Sequence, residues 1–263
     1  MKKTKRRGKS ASAAKKRIHL LDLLRGLAVI GMVIYHLFYT FGDLFGFPLF
    51  IRLKNGTPKF VLVIIAVTFI LVSAYSSSLS RGNVKRGARI FAVALGLSLA
   101  TCYILPLVGV VGAEIKFGIL HFFGIAIMLS PLLLKLTGKV NFYLGAALCI
   151  ALAIGTRDLY NYGFFGIPVT DPIQSVNILF PFGIYHEPFY SADYYPLLPW
   201  IFVFMIGCFL AVKIPKDKMP SFAYKKLCPP VEFLGRHALL IYVVHQPVIF
   251  GIGELISLFL RRT

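Results

Sequence analysis

The chain contains few charged residues for its length, and acidic residues are the scarcest. Of 263 residues, 10 are Asp or Glu and 29 are Lys or Arg, so charged side chains make up 15% of the sequence. Soluble domains have about 25% charged residues. Together with an apolar fraction of 57% and a mean hydropathy of +0.77, this shortage excludes an ordinary soluble domain. The length fits one helical bundle and leaves no room for a second sizeable soluble domain.

Cysteines and the common catalytic motifs are also sparse. Three of the four cysteines lie in apolar segments, and no CxxC spacing occurs. This pattern favours buried thiols over a disulfide framework, and it indicates no metal site. The chain has no complete GxxxxGKS/T phosphate loop, no GxSxG elbow and no HExxH helix. Soluble-type ATPase, serine hydrolase and zinc protease chemistry are therefore disfavoured.

Seven apolar segments predict membrane spans, since about 20 helical residues cross a hydrocarbon core. They cover approximately 19–41, 60–79, 88–110, 117–134, 141–156, 197–213 and 237–258. We predict an all-α, polytopic transmembrane bundle, with one domain over 19–260 after a basic tail at 1–18. The first apolar run is too long for a signal peptide and no small-x-small cleavage site follows it, so we expect a retained span.

The distribution of Lys and Arg predicts the orientation of the bundle. With the N-terminus in the cytoplasm, 21 of these residues fall on the cytoplasmic side and 7 on the outer side. The positive-inside rule favours this arrangement, which places the C-terminus outside. The same rule accounts for the formal charge of +19, so a nucleic-acid partner is disfavoured.

Two predicted outer loops carry acidic and aromatic side chains. The first covers residues 42–59 and contains Asp43. The second covers residues 157–196 and contains many Tyr and Phe residues together with Asp158, Asp171, His186, Glu187 and Asp193. Aromatic faces stack on the C–H faces of sugar rings, so a carbohydrate site is one interpretation. An aromatic belt at the membrane interface is the other, and the sequence leaves both open.

The first predicted span carries three ionisable residues, Asp22, Arg25 and His36. Such groups cost roughly 2.5–3.5 kcal/mol each at the centre of a membrane helix, so they are expected to face a protein interior and to have a function. Arg25 and His36 are eleven residues apart. This spacing places both on one helix face, ~16 Å apart along the axis. A helix face with ionisable groups this far apart predicts a site that extends across the membrane.

Histidines occur in three separate spans, as His36, His121 and His245. An imidazole with an unperturbed pKa of ~6.5 can act as a general base toward a hydroxyl or amine near neutral pH. A transient acyl-histidine is the alternative. His36 is the strongest candidate because its helix face also carries Arg25.

Arginine and aspartate supply the remaining candidates. Five arginines cluster at the predicted cytoplasmic face: Arg25, Arg81, Arg86, Arg89 and Arg236. Guanidinium groups bind phosphates in a fork, but positive-inside anchoring is favoured for Arg81, Arg86 and Arg89. Asp22 precedes Arg25 by three residues and could orient it. Asp193 lies just before the sixth span, where helix capping and a substrate contact both fit.

Four sequence blocks resemble one family when taken together. They are LLDLLRGLAVIGMVIYHLF, FGILHFFGIAIML, SADYYPLLPWIFVFMIG and FLGRHALLIYVVHQPV. From Arg17 to about Ile252 the chain resembles the bacterial relatives of heparan-alpha-glucosaminide N-acetyltransferase, within the wider transmembrane acyltransferase superfamily. The resemblance implies a multi-pass protein of the bacterial cytoplasmic membrane that takes an acyl group, expected to be acetyl, from cytoplasmic acetyl-CoA. It delivers this group to an extracytoplasmic carbohydrate or lipid-linked sugar.

The resemblance also implies roles for individual residues. Arg25 and His36 match the Arg–His pattern of the membrane O-acyltransferase branch, so His36 would be catalytic and Arg25 would help to seat coenzyme A. The lysosomal glucosaminide enzyme departs from this pattern at the histidine, so O- versus N-acylation stays open. His121 and Asp193 match further positions assigned to the catalytic set. Arg236 and His245 also match family positions and are assigned to the coenzyme-binding set, to which Asp22 is added because it could orient Arg25.

Other interpretations stay open at this point. A proton-coupled transporter or flippase also needs buried Asp, Arg and His side chains. The chain has no repeat symmetry and no matched pair of broken helices, which weakens that alternative. A degenerate family member serving as a membrane scaffold is a third option. Membrane lipids are expected partners, and the oligomeric state is open, with a homodimer among the options.

Overall fold

The computed structural model describes residues 17–107, 109–110, 112–168, 178–186 and 188–260. Within these residues the chain is helical and forms no β-strand. The α-helices are α1 (His19–Tyr39), α2 (Pro48–Gly56), α3 (Lys59–Ser78), α4 (Asn83–Leu99), α5 (Leu105–Leu107), α6 (Ile119–Thr137), α7 (Phe142–Gly155), α8 (Leu159–Tyr162), α9 (Leu197–Lys213), α10 (Pro229–Arg236) and α11 (Ala238–Leu260). Two π-helical segments, Thr40–Leu44 and Ala100–Ile104, extend α1 and α4.

The helices confirm an all-α polytopic membrane protein. In the described part of the chain, five helical stretches are long and apolar enough to cross a membrane, and α7 and α9 are shorter apolar helices. Helix α4 begins at Asn83, five residues before the third predicted apolar segment. Lys85 and Arg86 lie in its first turn, where charged side chains interrupt the hydropathy but not the helix.

The core of the bundle lies between α3, α6 and α9, and α1 packs against α3. Its fully buried side chains include Ile70, Phe122 and Phe204. Helix α4 lies along α6 and α7 lies along α9. The α4–α6 contact depends on glycine, since a Cβ on Gly87 would lie 2.6 Å from the Gly124 carbonyl oxygen. Small residues at such contacts let membrane helices approach closely.

Helices α4 and α11 present apolar side chains to their surroundings. Leu99 of α4 is 59% exposed and Leu240 of α11 is 62% exposed. In water, a surface of this kind is an interaction site or an aggregation hazard. Lipid tails solvate it well, so the exposed leucines agree with a membrane-embedded bundle.

The segment formed by α10 and α11 runs beside α1 in the same direction. At its start His19 Nδ1 lies 2.7 Å from Glu232 Oε2, and farther along the Thr40 hydroxyl lies 3.1 Å from Gln246 Oε1. The contacts thus follow the same order along both segments. This parallel pairing brings the middle of α11 to the level of His36.

Both predicted outer loops contain helical structure. The first holds α2, and the second holds α8 and a short 3-10 turn at Phe180–Phe182. Asp43 in the first loop forms an ion pair with Lys54, at 2.6 Å. Asp171, Glu187 and the tail up to residue 16 lie outside the described residues.

Candidate active site

His36 is held by a polar chain that joins α1 to α11. The Thr40 hydroxyl donates to Gln246 Oε1, which leaves the amide nitrogen of Gln246 to face His36 Nδ1 at 3.1 Å. In this orientation, assigned from the network, a neutral His36 accepts at Nδ1 and carries its proton on Nε2. Thr40 is fully buried, so the chain is anchored in the protein interior.

His245 packs edge-on against His36, with the ring centroids 4.9 Å apart. Its Nδ1 lies 2.7 Å from the backbone oxygen of Tyr242. A carbonyl oxygen only accepts, so Nδ1 carries the proton and Nε2 of the neutral ring is bare. Nε2 is buried and has no hydrogen-bond partner among the described residues. The two imidazoles therefore offer one N–H donor and one free acceptor.

A cavity of about 80 Å³ opens beside His36. A water molecule needs roughly 10–15 Å³ by the same measure, so the cavity has room for a small acyl group. The lining residues are Ala28, Val29, Met32, Tyr35 and His36 of α1, Leu62, Ile65, Ala66 and Phe69 of α3, and Ile119, Tyr195 and Tyr242. From Ala28 to His36 the cavity follows α1 for ~12 Å. Three tyrosines are its main polar lining beside His36.

Asp193 is connected to this cavity through Tyr242. The Tyr242 hydroxyl donates to Asp193 Oδ2, and the Ile119 N–H donates to the same oxygen at 3.0 Å. Asp193 thus caps the start of α6, where Gly118 has no side chain to do so. Burial raises the pKa of the Asp193 carboxyl, and these two hydrogen bonds oppose that rise.

His121 has both ring nitrogens engaged near the start of α6. The Gly118 N–H donates to Nδ1 at 3.1 Å. On the other side of the ring, Nε2 donates to Ser98 Oγ at 3.2 Å. The Ser98 hydroxyl proton is itself donated to the Ile115 carbonyl. The buried ring stacks on Phe117 and is not part of the cavity lining. This arrangement fixes the α6 start, and a catalytic role for His121 stays a prediction.

Arg25 and Asp22 meet at the end of the bundle formed by the start of α1, the end of α3 and the start of α4, here called the basic end. Arg25 Nη1 lies 3.4 Å from Asp22 Oδ1, and Nη2 donates to Ser76 Oγ at 2.7 Å. Arg25 is three residues, one helical turn, before Ala28 at the end of the cavity. Both predicted members of the Arg–His pair therefore face the bundle.

Arg236 is placed differently from the other candidates. It is exposed, and its guanidinium lies over the Phe233 ring, 5.8 Å from the centroid. No described contact joins it to Arg25, so its coenzyme-binding role stays a prediction.

Sequence reasoning missed several residues around His36. They are Tyr35, Thr40, Tyr195, Tyr242 and Gln246. A signal was present in LLIYVVHQP, where Tyr242 precedes His245 by three residues and so lies on the same helix face. Within the described ranges, no cluster of three or more His, Cys, Asp or Glu side chains could hold a metal ion.

Comparison with known families identifies the chain. The family model described as heparan-alpha-glucosaminide N-acetyltransferase, catalytic, matches residues 17–247. The chain belongs to this family. Comparisons with curated proteins and with solved structures gave no match. The resemblance inferred from the four sequence blocks is confirmed, and membership implies a membrane acetyltransferase in general terms.

Proposed function

We propose that the protein transfers an acetyl group from acetyl-CoA, bound at the basic end, to a sugar-containing acceptor that enters from the opposite end. The observation that carries the proposal is the cavity along α1, with His36 on its wall and Arg25 one turn beyond Ala28. A donor and an acceptor approaching from opposite ends would meet beside His36. We place the protein in a bacterial cytoplasmic membrane with the basic end inside.

The donor fits the chemistry of the basic end. Coenzyme A carries phosphate groups, and guanidinium groups bind phosphates through parallel N–H donors. Arg25 is positioned by Asp22 and Ser76 and retains further N–H groups for a ligand. An extended pantetheine arm would then follow α1 toward His36, and His245 would meet the thioester end of the donor.

The imidazole pair supplies the proton transfer in this proposal. The acceptor's hydroxyl or amine gives its proton to the pair while its oxygen or nitrogen bonds to the acetyl carbon. The carbon–sulfur bond breaks, and the coenzyme A thiolate leaves with that proton as the free thiol. His36 lines the cavity, and the buried His245 that packs against it has the free acceptor Nε2, because His36 Nδ1 already accepts from Gln246. The cavity tyrosines can donate hydrogen bonds to the carbonyl oxygen as its charge develops.

Aromatic side chains next to Asp193 support a carbohydrate acceptor. Tyr185 stacks on Tyr160 with centroids 4.5 Å apart and on Phe189 at 4.6 Å. Phe189 in turn lies 5.0 Å from Tyr194, the neighbour of Asp193. Tyr185 is covered by both neighbours, so a sugar ring would place its C–H face on an outer ring of this stack. Either an O-linked or an N-linked acetyl product is consistent with this arrangement.

The proposal is tested with purified protein in proteoliposomes and acetyl-labelled acetyl-CoA. We expect label to appear in an envelope glycan or lipid-linked sugar acceptor. We expect His36→Ala to lower the rate ~100-fold or more, because it removes the ring of the imidazole pair that lines the cavity. His237→Ala is the matched control, since this exposed histidine at the α10–α11 junction lies outside the cavity.

Two measurements separate lost chemistry from lost folding. His36→Ala should keep near-wild-type abundance and acetyl-CoA binding. Full transfer by that variant would refute the role of His36. Movement of intact solute without acetylation would refute the acetyltransferase proposal and favour a transporter.

A further inference from the structure

The polar chain beside His36 begins at a buried hydroxyl. Thr40 is 0% exposed and is the first residue of the π-helical segment that extends α1. Its hydroxyl proton is donated to Gln246 Oε1 at 3.1 Å, and no other described residue accepts it. A buried hydroxyl proton without an acceptor costs free energy. Thr40 therefore holds the Gln246 side chain with its carbonyl oxygen toward the hydroxyl.

The orientation of the Gln246 amide decides which nitrogen of His36 carries the ring proton. With its oxygen on Thr40, the amide directs its NH2 group at His36 Nδ1, 3.1 Å away. Nδ1 accepts this hydrogen bond only when it is bare, so the proton of the neutral ring lies on Nε2. The reverse orientation of the amide would place the ring proton on Nδ1, but it would leave the Thr40 proton without an acceptor. The network thus selects one tautomer of His36.

The two imidazoles differ in how their second nitrogen is placed. His36 lines the cavity, and its Nε2 has no hydrogen-bond partner within the described part of the chain. This nitrogen is not enclosed by protein, whereas Nε2 of His245 is buried and His245 is not part of the cavity lining. A molecule in the cavity therefore meets the N–H donor of His36 before it meets the bare nitrogen of His245.

We propose that Gln246, oriented by Thr40, is a positioning residue that makes His36 a hydrogen-bond donor to the acyl carbonyl oxygen. This inference rests on the proposed function, because that carbonyl belongs to the acetyl donor. Negative charge develops on the carbonyl oxygen as the acceptor's oxygen or nitrogen bonds to the acetyl carbon, and a fixed N–H stabilises it. The acceptor's proton goes to His245 Nε2. It passes from there to the coenzyme A thiolate as the carbon–sulfur bond breaks, and His36 keeps its own proton throughout.

Substitutions at Thr40 and Gln246 test the positioning role by steady-state kinetics in proteoliposomes. Thr40→Val keeps the shape of the side chain but removes the proton that orients the amide, and Gln246→Met removes the N–H donor. We expect each to lower kcat ~10-fold or more, as loss of the orienting partner of a catalytic imidazole does, with KM for acetyl-CoA changed little. Thr40→Ser keeps the hydroxyl and should recover most of the lost rate. The control is Thr68→Val in α3, which should leave kcat unchanged because Thr68 is not part of the cavity lining.

Nitrogen NMR of protein with ¹⁵N-labelled histidine rings measures the tautomer itself, and the spectrum of His36→Ala assigns the His36 signals. Wild type should show a protonated Nε2 and a bare Nδ1, whereas Thr40→Val and Gln246→Met should show both tautomers. This readout needs no acetyl transfer, so failure of the proposed function and failure of the positioning role are distinguishable. A wild-type His36 protonated on Nδ1 would overturn the inference. Equal losses of kcat in Thr40→Val and Thr40→Ser, or a lowered kcat with an unchanged tautomer, would also overturn it and assign these residues to structure alone.

Discussion

Helix α10 packs so closely on α1 that one methyl group should separate them. A Cβ on Gly235 would overlap the Asp22 carbonyl oxygen and lie 2.8 Å from the Gly26 nitrogen. These are backbone atoms of a helix, so they cannot rotate away as a side chain can. Gly235→Ala therefore forces α10 outward at the level of Asp22 and Arg25.

The size of the effect follows from two opposing contributions. Overpacking of this kind costs ~1–3 kcal/mol. Alanine regains at most ~1 kcal/mol of helix propensity over glycine, and less near a helix end. We expect a net loss of ~1–2 kcal/mol for Gly235→Ala, which corresponds to a Tm lowered by ~2–8 °C for a chain of this size.

Thermal unfolding in detergent with a thiol-reactive fluorophore measures this loss. Cys149 and Cys208 are 3% and 0% exposed, so they react only when the bundle opens. The two partly exposed cysteines, Cys102 and Cys228, are replaced by serine in all proteins compared. The control is Gly251→Ala in α11, where an added Cβ meets nothing within 4 Å.

The control should leave Tm unchanged or raise it, because helix propensity is then the only contribution. If both alanine variants shift Tm equally, close α1–α10 packing at Gly235 is refuted. A Gly235→Ala protein that keeps its Tm but loses affinity for acetyl-CoA would also contradict the stability argument.

Two further predictions concern the opposite ends of the bundle. Burial alone would raise the pKa of Glu232, but hydrogen bonds from His19 and two backbone N–H groups lower it below its usual 4.5. A carboxyl whose pKa is lower in the folded than in the unfolded protein stabilises the fold at pH values above its unfolded pKa. As pH drops below 4.5, wild-type Tm should therefore fall more steeply than the Tm of Glu232→Gln. Parallel plots of Tm against pH for the two proteins would contradict this. Tyr242→Phe leaves Asp193 with one hydrogen-bond donor fewer and should lower the free energy of unfolding by ~1–3 kcal/mol, measured by the same thermal unfolding assay. The control is Tyr103→Phe, which should not change Tm because Tyr103 is 69% exposed. Equal Tm shifts in both variants would show that the Tyr242–Asp193 hydrogen bond contributes nothing to stability.

Much of the fold could be predicted from hydropathy, since lipid requires backbone hydrogen bonds to be satisfied within each span. The predicted sixth span, 197–213, coincides with α9. The start of α4 could not be predicted from hydropathy, because its basic first turn looks like a loop. The helix in the first outer loop was missed as well, since α2 is nine residues long and has no buried residue to mark a face.

The site was only partly accessible from the sequence. Helix periodicity within α1 placed Arg25 and His36 on one face, because both residues belong to one rigid element. The partners of His36 come from α11, more than 200 residues away, and periodicity within a helix has no information about such contacts. His121 was also a catalytic candidate from the sequence, yet its two nitrogens are engaged at the start of α6.

Composition and spacing by themselves determined that this chain is a helical membrane protein and that one face of α1 is polar, and four sequence blocks were enough to show its resemblance to a membrane acetyltransferase family. These properties are local or additive, so a linear pattern contains them. Only the tertiary structure decided that His245 and Gln246 flank His36, that Tyr242 connects Asp193 to the cavity, and that neighbouring serines of α3 accept from Arg25 and Arg86. Such pairings depend on which helices pack together and at what register, and this is set by the whole bundle at once.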